Sequence, residues 1–345
     1  SPAPSVGRWE PVNFSLRFRL HGVSATAPTG NPAVTPELLL LANAFGAVAY
    51  DGYSADVLNS GTDSTVVVTT GVAAHVGHAV LVPSSEATGA RVFRWLKSLS
   101  TNTYTTVETT DIAADTAGTA YGSAVCYLTM AQQTPLTIGM QTETTDDALY
   151  LLDCAVSGAV RIARGTDGYI TVEMPMRSTG GVHFDGAADA AEPAAYTYPR
   201  IPSSVGSTGA AVYVGGAKTC YGEWTLTVDV TTADAECVSG PQGVASVITT
   251  MRDATLELAG VRSDSWADIP TESPGATMSP VQIDVSTTPG RAASVLMPAP
   301  YRRAQTTLAD RGGLFGDVVQ LGPGPYTGDT GDGAPVDSIL RLALA

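Results

Sequence analysis

The sequence predicts a mainly β protein with small helices, organised as two tandem units. Apolar and polar residues alternate strictly through NFSLRFRLHG and GEWTLTVDVTT, the period of two that turns one strand face toward a core. The stretch VRIARGTDGYITVEMPM, from Val160, reads as a β-hairpin, and its outline returns from Val281 as VQIDVSTTPGRAASVLMPA. Each runs through a turn with Thr and Gly and ends its return strand in Met-Pro. Helical pattern is short, chiefly in proline-led segments.

In chain order, Phe14, Leu16, Phe18 and Leu20 form the apolar face of the first strand, with Arg17 and Arg19 on its polar face. TPELLLLANAFG predicts a helix over 36–45, with Thr35 as N-cap, Pro36 and Glu37 in the first turn and Gly46 as the stop. Strands are expected at 65–70, 79–82 and 123–130. ARVFRWLKSL, 90–99, fits an amphipathic helix or an irregular arm. TNTYTTVETTDIAADTAGTAYG reads as a long exposed loop. Next, Tyr150, Leu152, Cys154, Val156, Val160 and Ile162 share one face, opposite Asp153, Ala155, Ser157, Ala159 and Arg161.

A Gly/Pro/Ala-rich connection follows the first hairpin. Trp224, Leu226, Val228 and Val230 then alternate with Glu223, Thr225, Thr227 and Asp229. PQGVASVITTM repeats the proline-led helix start, and Val281, Ile283 and Val285 line the inner face of the second hairpin. The shared order of long strand, proline-led helix and hairpin divides the chain into 1–195 and 196–345, with 47–140 as insertion or loop in the first unit.

Of the 345 residues only 15% are charged, against roughly 25% in ordinary soluble domains. That suits a subunit whose faces are largely covered by neighbours. Thirty-three acidic against 18 basic residues, net −15, argue against gripping duplex DNA by its phosphates. Only Lys97 and Lys218 are lysine; a saline habitat or a GC-rich genome would each give that bias. The start SPAPSVGRWEPVNF has no signal-peptide pattern, and no run approaches the ~18 apolar residues of a membrane span. Cys126 and Cys154 share the parity of apolar neighbours and read as buried thiols. Cys220 and Cys237 flank one strand and could pair in an oxidising compartment.

Catalytic signals are sparse, and no enzymatic activity is expected. His75 and His78 have a metal-compatible spacing but no third ligand beside them. Asp329, Asp332 and Asp337 among glycines lack the order of a calcium loop. GPGPYTG lacks the phosphate-loop lysine, and no GxSxG is present. Asp146 and Asp147 read as a solvated strand entrance. No cofactor is implied.

NFSLRFRLHG, TPELLLLANAFGAV and TTDDALYLLDCAVSGAVRIARGTDGYITVEMPM together resemble the tail tube, or major tail, proteins of phages with long non-contractile tails. The likeness covers much of 10–46 and 140–180 and, more loosely, 209–300. It implies tail-tube-like β-sandwich or barrel domains, each with a flanking helix, joined between copies into stacked rings around a DNA channel. Three two-domain chains would make a ring resembling a hexamer. The implied partners are further copies, a tape-measure protein and tail-end proteins. Viral DNA would pass without sequence-specific binding, no membrane would be involved, and the subunit would assemble in the host cytoplasm for the virion tail.

A channel for a sliding polyanion favours small, polar and acidic side chains. The expected lumen residues are Asp153, Ser157, Thr171 and Glu173 from the first hairpin, and Gln282, Asp284 and Ser286 from the second. Arg161 shares their parity and opposes the assignment. Arg17 and Arg19 on one long strand, and Glu223 and Asp229 on the other, would match charges between neighbouring units. The competing readings are a glycan-binding surface β-sandwich and a capsid decoration protein.

Overall fold

Alternation is borne out first at β1 (Val12–Arg19), whose residues are by turns half-buried and exposed. The computed structural model describes residues 11–22, 36–50, 56–84, 91–107, 118–141, 148–164, 168–185, 210–219, 221–236, 244–261, 279–304, 307–311 and 314–345. Helix α1 (Pro36–Phe45) follows and runs straight into β2 (Gly46–Ala49). Leu38, Leu41 and Phe45 recur at helical spacing and are buried. Gly46 ends the helix at φ +106°, where a Cβ would strike Thr129 O. Arg252 completes the stop by donating to the carbonyls of Asn43 (3.1 Å) and Ala44 (3.1 Å), a cation placed where the helix dipole is negative. Thr35, the expected N-cap, lies outside the described residues.

The next strands are β3 (Asp56–Thr62), β4 (Thr65–Val68), β5 (Ala79–Pro83), β6 (Arg91–Ser100), β7 (Thr103–Thr106) and β8 (Gly118–Ala120). They form one sheet in the order β5-β6-β7-β4-β3-β8. Leu81 and Tyr121 exchange main-chain hydrogen bonds of 2.8 and 3.0 Å, which closes that sheet into a small barrel. Its own core holds Leu58, Val66, Val80, Val92, Leu96 and Tyr104.

Two sequence expectations are corrected here. ARVFRWLKSL is neither helix nor irregular arm but strand β6. Val92 and Leu96 face the barrel core, while Phe93 and Trp95 face a second apolar cluster outside it. A strand buried on both sides shows no alternation, so its period is unreadable. The supposed loop from 101 contains β7 and β8, with Tyr104 fully buried.

The chain continues through β9 (Ala124–Leu128), β10 (Leu136–Gln141), β11 (Ala148–Val156), β12 (Ala159–Arg164) and β13 (Ile170–Asp185). After the stretch around 186–209 come β14 (Ala211–Val214), β15 (Ala217–Thr219), β16 (Glu223–Glu236), β17 (Val244–Val261), β18 (Val281–Ser286) and β19 (Ala293–Met297). The last are β20 (Pro300–Arg302), β21 (Thr307–Arg311), β22 (Leu314–Pro323) and β23 (Arg341–Leu344). PQGVASVITTM is therefore not a second helix: from Val244 it is strand. β-branched Val and Ile and the two threonines suit the strand better than a helix.

Ten strands make one sheet. β11 and β12 lie end to end along one edge of β13, and β1 lies along the other. From β12 the order runs β16, β17, β22, with β20 and β21 closing the far side. Seven strands make a second sheet, β15-β14-β18-β19-β23-β9-β2. One core of Ile162, Val172, Met174, Leu226, Leu256, Ile283, Val295, Leu342 and their neighbours fills the space between the sheets. Both sheets draw strands from both halves of the sequence, and β12 pairs directly with β16. The halves thus share a core. The two look-alike hairpins occupy different sheets: β12–β13 in the larger, β18–β19 in the smaller. Alternating strands that end in Met-Pro resemble one another whichever sheet they enter.

The barrel, entered after β2 and left before β9, caps the outer face of the seven-stranded sheet. Leu81, Phe93 and Trp95 pack on Val125, Leu296, Ala343 and Ala345. The segment after β22 straps it down: Thr330 N donates to Lys97 O (2.8 Å) and Asp332 N to Ala73 O (3.2 Å). Of the expected 47–140 insertion, β2, β9 and β10 belong to the two large sheets and only the barrel stands apart.

Candidate functional site

The solvent face of the ten-stranded sheet follows from its register. Ile162, Val172, Leu226, Val228 and Leu256 point into the core. Their neighbours point out, and one row reads Arg17, Glu173, Arg161, Thr227, Thr255 across five strands. The next row holds Arg19, Thr171, Ala163, Thr225 and Glu257. The surface is polar, rich in threonine, and of mixed charge. Arg17 Nε lies 3.5 Å from Glu173 Oε1 with both side chains well exposed, a pair that water screens and that adds little stability. Arg19 stacks its guanidinium 4.5 Å from the Tyr169 ring centre.

Of the first-hairpin residues expected in a channel, Thr171 and Glu173 share this face. Ser157 marks the bend between β11 and β12, its N–H donating to Pro175 O (3.0 Å). Asp153 is exposed on a β-bulge at φ 50°. The bulge inserts one residue and reverses the parity upstream. Leu151, and not Leu152, is therefore buried, which corrects the expected inner face of Tyr150 and Leu152.

The second-hairpin residues are corrected outright. Gln282, Asp284 and Ser286 are only 1–2% exposed, because the barrel covers their face of the seven-stranded sheet. Alternation predicts which side of a strand they occupy but not that another unit covers it. Gln282 Nε2 donates to Phe93 O (3.2 Å) and to Asp284 Oδ1 (3.0 Å). Ser294 Oγ donates to the same Oδ1 (2.7 Å) and accepts from Trp95 Nε1 (3.2 Å). Trp95 and Arg94, in the basic-aromatic stretch of β6, were the available signal for this buried contact.

The charge-matching pairs are also corrected. β1 pairs with no described strand besides β13, so Arg17 and Arg19 lie on an edge strand. β16 is paired on both sides, with β12 and β17. Asp229 thus lies in the doubly paired stretch, Thr225–Asp229, and cannot present an edge to a neighbour, while Glu223 precedes that stretch and stands opposite Ala259 of β17. Asp229 stands opposite Asp253. The Arg303 guanidinium hydrogen-bonds Asp253 and holds its carboxyl below the usual range.

Of the remaining motifs, Asp329 is a structural anchor. Its Oδ1 accepts from Tyr326 OH (2.8 Å) and its Oδ2 from Asp337 N (3.1 Å). Arg341 Nη2 also donates to Oδ2, in an ion pair with neither side chain exposed. His75 Nδ1 lies 3.1 Å from Tyr104 OH. Among the described residues no group of three or more His, Cys, Asp or Glu could hold a metal. Burial pushes the Cys126 thiol up to about 12 and that of Cys154 to about 11, so both stay protonated and unreactive. Cys220 and Cys237 lie outside the described residues.

His78 is buried, and desolvation, with the charges of His75 and Arg341, lowers its pKa to about 4. Keeping it neutral supplies stability that is present above pH 6.5 and lost as pH falls through about 4. His78→Gln should therefore lose less melting temperature than the wild type between pH 6.5 and 4, as thermal unfolding at each pH will read. No described helix is long and apolar enough to cross a membrane. No protein-family model matches the chain, and no curated protein matches it significantly in sequence.

Proposed function

We propose that this chain is a structural virion protein, a subunit that self-assembles into stacked rings forming a viral tail tube. The observation that carries the reading is the open ten-stranded sheet. Its solvent face is polar and threonine-rich, and it ends at the eight-residue strand β1, which no second described strand covers. An edge of that length offers a row of main-chain groups to a sister copy. Head-to-tail contacts that do not close then build a filament. Thr171, Glu173, Thr225, Thr227 and Glu257 give the channel wall hydroxyls and carboxylates that do not hold a passing polyanion, while Arg17, Arg19 and Arg161 on the same face oppose the reading. The partners are other copies of the chain, a tape-measure protein during assembly and tail-end proteins. The chemistry is contact between surfaces, with no cofactor and no catalysis.

Negative-stain microscopy of the purified protein tests this. Rings or tubes are the expected result. Monomers retained on a glycan array would replace it with the glycan-binding reading. Arg19→Glu, on the edge strand, should weaken ring assembly several-fold and alter its salt dependence. Light scattering across a salt series measures both, and unchanged assembly would remove β1 as a docking edge.

A further inference from the structure

Asp284 is 2% exposed, at the contact between the barrel and the seven-stranded sheet. One carboxylate oxygen is well served: Oδ1 accepts from Ser294 Oγ and Gln282 Nε2. The other, Oδ2, is buried and makes no hydrogen bond among the described residues. The donors on Oδ1 connect both sides of the contact, because Ser294 also accepts from the Trp95 indole and Gln282 also donates to Phe93 O. A carboxyl in that position couples its charge to the seating of the barrel.

The charged and titratable groups packed around it are few. From the barrel comes Arg94 on β6, itself 1% exposed and donating to Asp63 O (3.0 Å); it acts on Asp284 through space. β14 places Ala211 opposite Asp284 and Tyr213 opposite Gln282. β19 and β23 bring Ser294, Ala343 and Arg341, the last already engaged by Asp329. Nothing in the set delivers a direct cation to Oδ2.

We infer that Asp284 is a proton-controlled latch: the barrel seats most firmly on the seven-stranded sheet when this carboxyl carries its proton, and ionisation loosens it. Burying a charge whose second oxygen is unserved is costly, and opening the contact returns it to water. Desolvation, opposed by Ser294, Gln282, the Phe93 main-chain N–H and Arg94, pushes this carboxyl up to about 7. The sign follows. The contribution is fully present below about pH 4, declines as pH rises, and is lost once pH has passed about 7. His78 titrates across part of the same window in the opposite sense. The informative quantity is therefore the ratio of wild type to Asp284→Asn at each pH.

The test is hydrogen exchange of the full chain from pH 4 to 8, with protection factors corrected for intrinsic rates. The ratio at the Phe93 and Trp95 amides should fall with rising pH, by up to about a thousandfold for some three units of displacement. A ratio that does not change with pH overturns the latch. Should Asp284→Asn not fold, the carboxyl ¹³C shift of Asp284 in the wild type decides. A midpoint near 7, moving higher in Ser294→Ala, supports the inference, and a midpoint near 4 overturns it. Neither outcome depends on whether the protein forms tubes.

Discussion

Arg341→Ala will lower the free energy of unfolding by about 3–5 kcal/mol, the cost of leaving one partner of a buried ion pair uncompensated. Arg341 and Asp329 are both fully enclosed. The guanidinium also donates to Ser338 O (3.2 Å) and Gly77 O (3.3 Å), so one side chain ties β23 to the strap and to the barrel. Removing it strands the Asp329 carboxylate with only Tyr326 OH and Asp337 N as donors. Replacing the pair together, Arg341→Met with Asp329→Leu, should recover much of the loss, since no buried charge remains. Urea unfolding of the three proteins at pH 7 measures both the loss and its recovery. A single variant within 1 kcal/mol of wild type would show that the ion pair is not what fixes the strap.

Trp95→Ala should cost about 3–5 kcal/mol, the range for deleting a large buried aromatic. Its position makes the loss selective. Trp95 is 1% exposed and belongs to the cluster between the barrel and the seven-stranded sheet, apart from the barrel core of Val66, Val92 and Tyr104. The variant should therefore loosen docking before it melts the barrel. Hydrogen exchange should show lost protection along β19 and β23 while Tyr104 and Val66 keep theirs. Trp95→Phe, which keeps most of the apolar surface but not the indole donor to Ser294, should cost far less. Equal loss of protection in both cores would mean that barrel and sandwich unfold as one cooperative unit.

Legibility from sequence followed burial on one side. In β1, β12, β13 and β16 one face meets the core and the other meets water, and the alternation of Phe14, Ile162, Met174 and Leu226 with polar neighbours is explicit. α1 was readable from Pro36, its leucine spacing and Gly46. β6 was not, since Val92 and Trp95 serve two cores on opposite faces. The bulge at Asp153 was hidden too: a single residue at φ 50° shifts the parity of Leu151 and Leu152 without any change in composition.

The candidate site divides the same way. Thr171 and Glu173 could be placed on a polar face because only their own strand's period was needed. Gln282, Asp284 and Ser286 have the same period, yet they are covered by a barrel encoded nearly two hundred residues earlier in the chain. Glu223 and Asp229 were polar as expected, but edge or interior is a property of the assembled sheet.

By itself the sequence determined the class of the protein, its one described α-helix and the inward faces of its singly buried strands, because local periodicity and backbone preference act over a few residues. Only the tertiary structure decided which strands became neighbours, that the two halves share one core, and that an acidic side chain on an outward face ended in a dry contact. Those outcomes depend on long-range packing, where burial is set by what arrives from elsewhere in the chain.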